Sequence, residues 1–278
     1  MISGNFLLLT SHFSRPIQQR QLTLNSIRGI FRIITFLIML ILTTVLVLAT
    51  AWLPVRIRGV RLSAWLLMPI CRLLLPLFNV EFTALEAERI RQHNGFIFPN
   101  HLSFLDIILL VSIFPVRFLS KAELANWPFI GWIARAVDTV FVNRDDKESR
   151  EKARDALAHI HTFPPVALFP EGGIFQPPDE LKPFRYGAFE IAQTGGVPFI
   201  PAVFLYDPLD IVFWRDEHLL TAVWRFATHS KPIKARLFLL RTVQPGPNDD
   251  PRQLALETHG AMAAVLSSKT VHMPSQSP

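Results

Sequence analysis

The chain has a single cysteine, Cys71, so no internal disulfide can form. Its place in an apolar stretch suits a small buried hydrophobe. No His and Cys residues cluster at metal-ligand spacing, and no Gly-x-Ser-x-Gly elbow presents a serine nucleophile. No internal repeat is visible, which excludes a solenoid. Charge is absent altogether from Ile33 to Leu53. As a helix, that stretch covers about 31 Å, close to the hydrocarbon thickness of a bilayer. Trp52 stands where an interfacial aromatic belongs. The run is too long for a signal peptide, and no small-residue cleavage pattern accompanies it.

What is present fits a membrane-attached domain. Of 278 residues 50% are apolar, and the net charge is +6 with histidines neutral. A basic balance implies an anionic partner, either nucleic acid or an anionic lipid surface. The arginines are dispersed and flank apolar segments, which favours anionic membrane lipids over nucleic acid. Arg28 and Arg32 precede the uncharged run, and Arg56, Arg58 and Arg61 follow it. Leu62 to Val80 is a second apolar segment, interrupted by Arg72, Pro69 and Pro76. It is expected to lie in the interface or to pair with the first helix as a hairpin.

The expected organisation is a basic tail over 1–29, a membrane-anchoring helical segment over 30–80, a globular domain over 81–267 and a disordered tail over 268–278. Within the domain, apolar runs alternate with helical patterns. Strands are expected at 96–99, 116–119, 139–142, 166–169, 197–206 and 235–243, and helices at 147–161, 188–193 and 252–266. That alternation predicts an α/β fold with a mixed, largely parallel sheet flanked by helices.

Four stretches fall where strands end, the usual place for sites in open α/β sheets. The first is Asn100-His101-Leu102-Ser103-Phe104-Leu105-Asp106. Ser103 is the expected N-cap of a helix over 103–114, with Asp106 at its acidic N3 position. Five helical residues rotate the chain by roughly 500°, leaving the two side chains about 140° apart. His101 can therefore meet Asp106 only from the turn before the helix. A carboxylate there would fix the imidazole tautomer and make the ring a general base toward a hydroxyl. The second stretch places Arg144 directly after Val140-Phe141-Val142-Asn143. Its guanidinium suits an anionic head group, or a surface ion pair with Asp145 or Asp146. The third, Phe169-Pro170-Glu171-Gly172-Gly173, opens a glycine turn. The fourth, Val197 to Ala202, carries Pro198 and Pro201 and reads as an apolar wall.

In order and spacing, these stretches resemble the signature blocks of the 1-acylglycerol-3-phosphate acyltransferase family, over roughly residues 75 to 245. That family carries His-x4-Asp, an arginine after a strand, Glu-Gly-Thr and a proline-containing apolar block. The resemblance implies transfer of a fatty acyl group from acyl-CoA or an acyl carrier protein to the hydroxyl of a lysophospholipid at a membrane. It implies no cofactor beyond that donor. It implies His101 and Asp106 as the catalytic pair, with Arg144, Glu171, Gly172 and Gly173 at the acceptor. Gly173 and Ile174 replace the family's threonine and the polar residue that often follows it. Lys182 and Arg185 are expected to hold the phosphate in their place. Phosphatidic acid is the first product expected. A lyso-ornithine lipid or another lysolipid remains open as acceptor, as does an inactive lipid-binding relative. The expected location is the cytoplasmic face of a bacterial inner membrane. Backbone amides at the start of the 103–114 helix are candidates for stabilising an oxyanion.

Overall fold

A computed structural model describes residues 6–143, 146–158, 163–174, 180–215 and 217–270. In chain order the elements begin with α1 (Phe6–Ala51), a hairpin of β1 (Arg56–Ile57) and β2 (Val60–Arg61), α2 (Leu62–Leu77), β3 (Val80–Ala84), α3 (Ala87–Gln92) and β4 (Phe96–Pro99). Next come α4 (Leu105–Ile113), β5 (Arg117–Lys121), a 3-10 turn (Ala122–Asn126), α5 (Ile130–Ala136), β6 (Val140–Val142), α6 (Lys147–Ala158) and β7 (Val166–Ala167). The chain closes with α7 (Gly187–Thr194), β8 (Phe199–Asp207), α8 (Leu209–Val212), α9 (Leu219–Thr228), β9 (Ile233–Leu239) and α10 (Pro251–Thr270).

Seven strands form one sheet in the order β3-β9-β8-β4-β7-β5-β6. Every pairing is parallel except β8 with β9, so the sheet is mixed and largely parallel, as expected. β4 lies at its centre. All four of its residues are buried, as a strand covered on both faces requires. Phe98 stacks on Phe199 and meets Phe189 edge-on, which ties β4 to β8 and α7.

The uncharged segment lies within α1, one helix that also runs through the stretch expected to be a tail. Gln19–Ala51 is long and apolar enough to cross a membrane. Along one side, however, it is packed against the domain. Arg32, Thr43, Thr44 and Val47 are buried. Arg32 is therefore not a flanking charge. Its guanidinium donates to the carbonyls of Ala227 (3.0 Å) and His229 (2.6 Å), the last carbonyls around the end of α9. α2 folds back against α1 as the hairpin partner. Arg72, which interrupts its apolar run, donates to Ser112 O (2.7 Å) at the end of α4. In both cases an arginine in an apolar helix satisfies orphan carbonyls of a neighbour.

β3 and α3 occupy residues 80–92, where neither a strand nor a helix is expected. β3 is an edge strand and alternates buried with exposed residues. Trp224 and Phe226 belong to α9, where Phe226 is buried and stacks on Phe78. The expected disordered tail begins inside α10. Residues 271–278, like His159 and His161, lie outside the described residues.

Candidate active site

β4 ends at Pro99, which has no N–H to continue the ladder. Asn100 replaces it with a side chain. Its Nδ2 donates to Phe204 O (3.2 Å) and its Oδ1 accepts from Phe204 N–H (2.6 Å), which fastens the start of the turn to β8. The next residue is His101, and α4 does not begin until Leu105. The helix therefore starts two residues later than Ser103. Ser103 Oγ accepts the Leu105 N–H (3.2 Å), and the turn between is held by a carboxylate from inside the helix.

That carboxylate is Asp106, fully buried. Oδ2 faces His101 Nδ1 at 2.8 Å and also accepts the N–H groups of Leu102 (2.8 Å) and Ser103 (2.9 Å). Oδ1 accepts the phenolic O–H of Tyr206. A carboxylate offers only acceptors, so the proton between the two groups sits on Nδ1, and Nε2 carries a lone pair. Burial first, and Asp106 second, hold the Tyr206 hydroxyl well above its ordinary value, so it remains a donor. The His101 ring stacks on Phe169 at 3.9 Å, and its side chain is 17% exposed. The ring is thus gripped on one nitrogen and one face while the residue keeps a path to solvent or substrate.

Glu171 supports the turn from behind. Oε1 accepts the His101 N–H (2.8 Å), and Oε2 accepts the Lys182 N–H (3.3 Å). Burial raises its carboxyl above the ordinary value, against the pull of the two amides and of His101. In this geometry both of its oxygens brace the turn. Gly172 has φ 78°, and a Cβ there would come within 2.6 Å of Arg185 Nε. Glycine is thus required twice, for the left-handed backbone and for the guanidinium lying across it. Arg185 N–H donates to Pro170 O (2.8 Å). Lys182 and Arg185 are in this way carried to the Glu171–Gly172 turn, and Gly173 follows it half-buried.

Arg144 lies outside the described residues. The strand before it, β6, is the third from β4 in the sheet, roughly 14 Å away at the usual strand spacing. Several of the amides around the start of this helix are engaged within the turn. Those of Leu102 and Ser103 are taken by Asp106, and that of Leu105 by Ser103. Sequence reasoning misses Tyr206 and the pairing role of Asn100. Both contacts span about a hundred positions, and the only local hint for Tyr206 is that a buried phenol needs a partner.

Known proteins resemble this chain in sequence and in fold. A family model described as Acyltransferase matches residues 81–205. A lyso-ornithine lipid O-acyltransferase of Rhodobacter capsulatus is 34% identical over 176 residues, covering 58% of this chain and 58% of that protein. A 1-acyl-sn-glycerol-3-phosphate acyltransferase of Neisseria gonorrhoeae is 29% identical over 138 residues, covering 48% of this chain and 54% of that protein. The chain thus spans a little over half the length of these relatives. The fold is shared with a crystal structure of the 1-acyl-sn-glycerophosphate acyltransferase of Thermotoga maritima, at a TM-score of 0.69 and 20% identity over 91% of this chain and 99% of that one.

Proposed function

We propose that this chain is a member of the acyltransferase family, whose model matches residues 81–205, and that it transfers a fatty acyl group from a thioester to the hydroxyl of a lysolipid. The observation that carries this is the His101–Asp106 bridge at 2.8 Å, which leaves Nε2 basic. Nε2 takes the proton of the acceptor hydroxyl as its oxygen attacks the thioester carbonyl. The tetrahedral intermediate collapses, the C–S bond breaks, and Nε2 returns the proton to the leaving thiolate. Asp106 holds the ring throughout and stabilises the charge that develops on it. A thioester is already activated, so no covalent enzyme intermediate is needed. The donor is acyl-CoA or an acyl carrier protein, both of which place the reaction at the cytoplasmic face. The outer side of α1 from Ile30 to Leu48 exposes apolar side chains and would rest in the lipid.

For the acceptor, lyso-ornithine lipid is favoured over 1-acylglycerol-3-phosphate. The relative named for the former matches over 176 residues, whereas those named for the latter match over 138 residues or fewer. The threonine of the third block is replaced here by Gly173. Lys182 and Arg185 supply cationic groups for either head group. The test is a panel with full-length protein in detergent, labelled acyl-CoA or acyl carrier protein, and three acceptors: lyso-ornithine lipid, 1-acylglycerol-3-phosphate and a monoacylglycerol. Fastest acylation of lyso-ornithine lipid is expected. Faster acylation of the phosphate acceptor would reverse the order, and no transfer to any acceptor would overturn the enzymatic reading.

A further inference from the structure

A cavity of about 460 Å³ opens at the other end of the sheet from His101. Asn94, on its wall, precedes β4, whereas His101 follows that strand, so the two sites lie beyond opposite ends of β4. The cavity is lined by Arg56 and Arg61 of the hairpin, Arg117 at the start of β5, Asp138 after α5, and the Phe163–Pro164 segment. Three guanidiniums therefore surround one carboxylate among the described lining residues.

The local geometry makes that imbalance costly. Arg56 and Arg61 are direct partners across the β1–β2 pair, where like charges destabilise. Arg58 and Gly59 form the two-residue turn, both at positive φ (52° and 79°), the backbone of a type I′ hairpin. The turn thus holds the two arginines opposite each other. Asp138 pairs with Arg61 at 3.0 Å, while Arg56 bonds a carbonyl of its own hairpin, Gly59 O, at 3.1 Å. Arg117 donates to Pro164 O at 2.9 Å, a neutral acceptor that anchors it in the wall. Its charge is also disfavoured by burial, with Asp138 opposing that effect and Arg56 adding to it. A cluster built in this way is completed by an anion.

The surroundings indicate which anion. The hairpin follows directly on the end of α1, where Trp52 is 89% exposed and Leu53, Val55 and Ile57 are also exposed. An aromatic and three aliphatic side chains beside an arginine cavity match the boundary between acyl chains and head groups. We propose that this cavity binds the phosphoryl group of an anionic phospholipid, as a site separate from the catalytic turn, holding this end of the domain to the bilayer surface.

The test uses full-length protein in non-ionic detergent, titrated calorimetrically with dioctanoyl-phosphatidylglycerol, dioctanoyl-phosphatidylcholine, sn-glycerol 3-phosphate and inorganic phosphate. Saturable binding of the anionic lipid is expected, at least tenfold tighter than that of glycerol phosphate or phosphate alone. Arg56→Gln should weaken it at least tenfold. Arg58→Asn, which removes the same charge from the exposed turn outside the cavity, should change it less than threefold. Arg117→Gln should act like Arg56→Gln if it folds, and the exposed Arg56 keeps the test open if it does not. His101→Ala should leave this binding unchanged, so the outcome does not depend on the catalytic reading. Equal losses in Arg56→Gln and Arg58→Asn would reduce the effect to diffuse surface charge and overturn the site. Glycerol phosphate binding as tightly as the lipid would overturn the membrane assignment.

Discussion

Asp106 accepts hydrogen bonds from an imidazole, two amides and a phenol, so a buried charge has no unsatisfied direction. Among the described residues, Tyr206 contributes the one bond to Oδ1. Tyr206→Phe should lower kcat about tenfold and destabilise the fold by about 1–3 kcal/mol, with KM nearly unchanged. Steady-state kinetics with denaturant unfolding would check this, and a loss confined to KM would contradict it. Glu171 gives a pH signature. Its folded value lies above the ordinary 4.5, so the folded state binds its proton more tightly than the unfolded chain does. The ionised carboxylate therefore costs stability near pH 7, and the cost is relieved as pH falls through the raised value toward the unfolded one. Between about pH 7 and about pH 5, the Tm of the wild type should rise relative to that of Glu171→Gln. A relative fall would refute the sign.

At the scale of elements, the His101 turn is positioned by partners that are distant in the sequence. The His101–Asp106 pairing is legible because the apolar run, the proline and the spacing are all local. Asn100 and Tyr206 are not, since each bonds about a hundred residues away. The arginines in apolar helices mislead for a related reason. A charge in a hydrophobic run looks like a flank or a break, whereas Arg32 and Arg72 each satisfy the last carbonyls of another helix. Arg32→Met should cost about 1–3 kcal/mol, because buried carbonyls lose a charged donor. Arg28→Met, one turn earlier and bonded locally to Asn25, should be close to neutral. Chemical denaturation of the two variants would compare them, and equal losses would show that α1 is held by apolar packing alone. β3 is hidden because an edge strand with alternating exposed residues reads as polar chain. α9 is hidden because its aromatics look scattered until their helical period is counted.

Over the whole molecule, α1 and α2 lie along the domain, with the His101 turn beyond one end of the central strand and the arginine cavity beyond the other. The sheet class is readable from alternating patterns. The layering is not, because it depends on which face of a nearly uniform apolar helix is covered. Among the described residues, the buried Arg32, Thr43, Thr44 and Val47 mark that face of α1. The proposed acyl transfer depends on Nε2 of one histidine. The most direct measurement is the rate of labelled acyl transfer to a lysolipid by full-length wild-type protein and by His101→Ala, with equal folding verified by thermal unfolding. A fall of about 10²–10⁴-fold is predicted for the removal of a general base. A rate within about threefold of wild type would contradict that role.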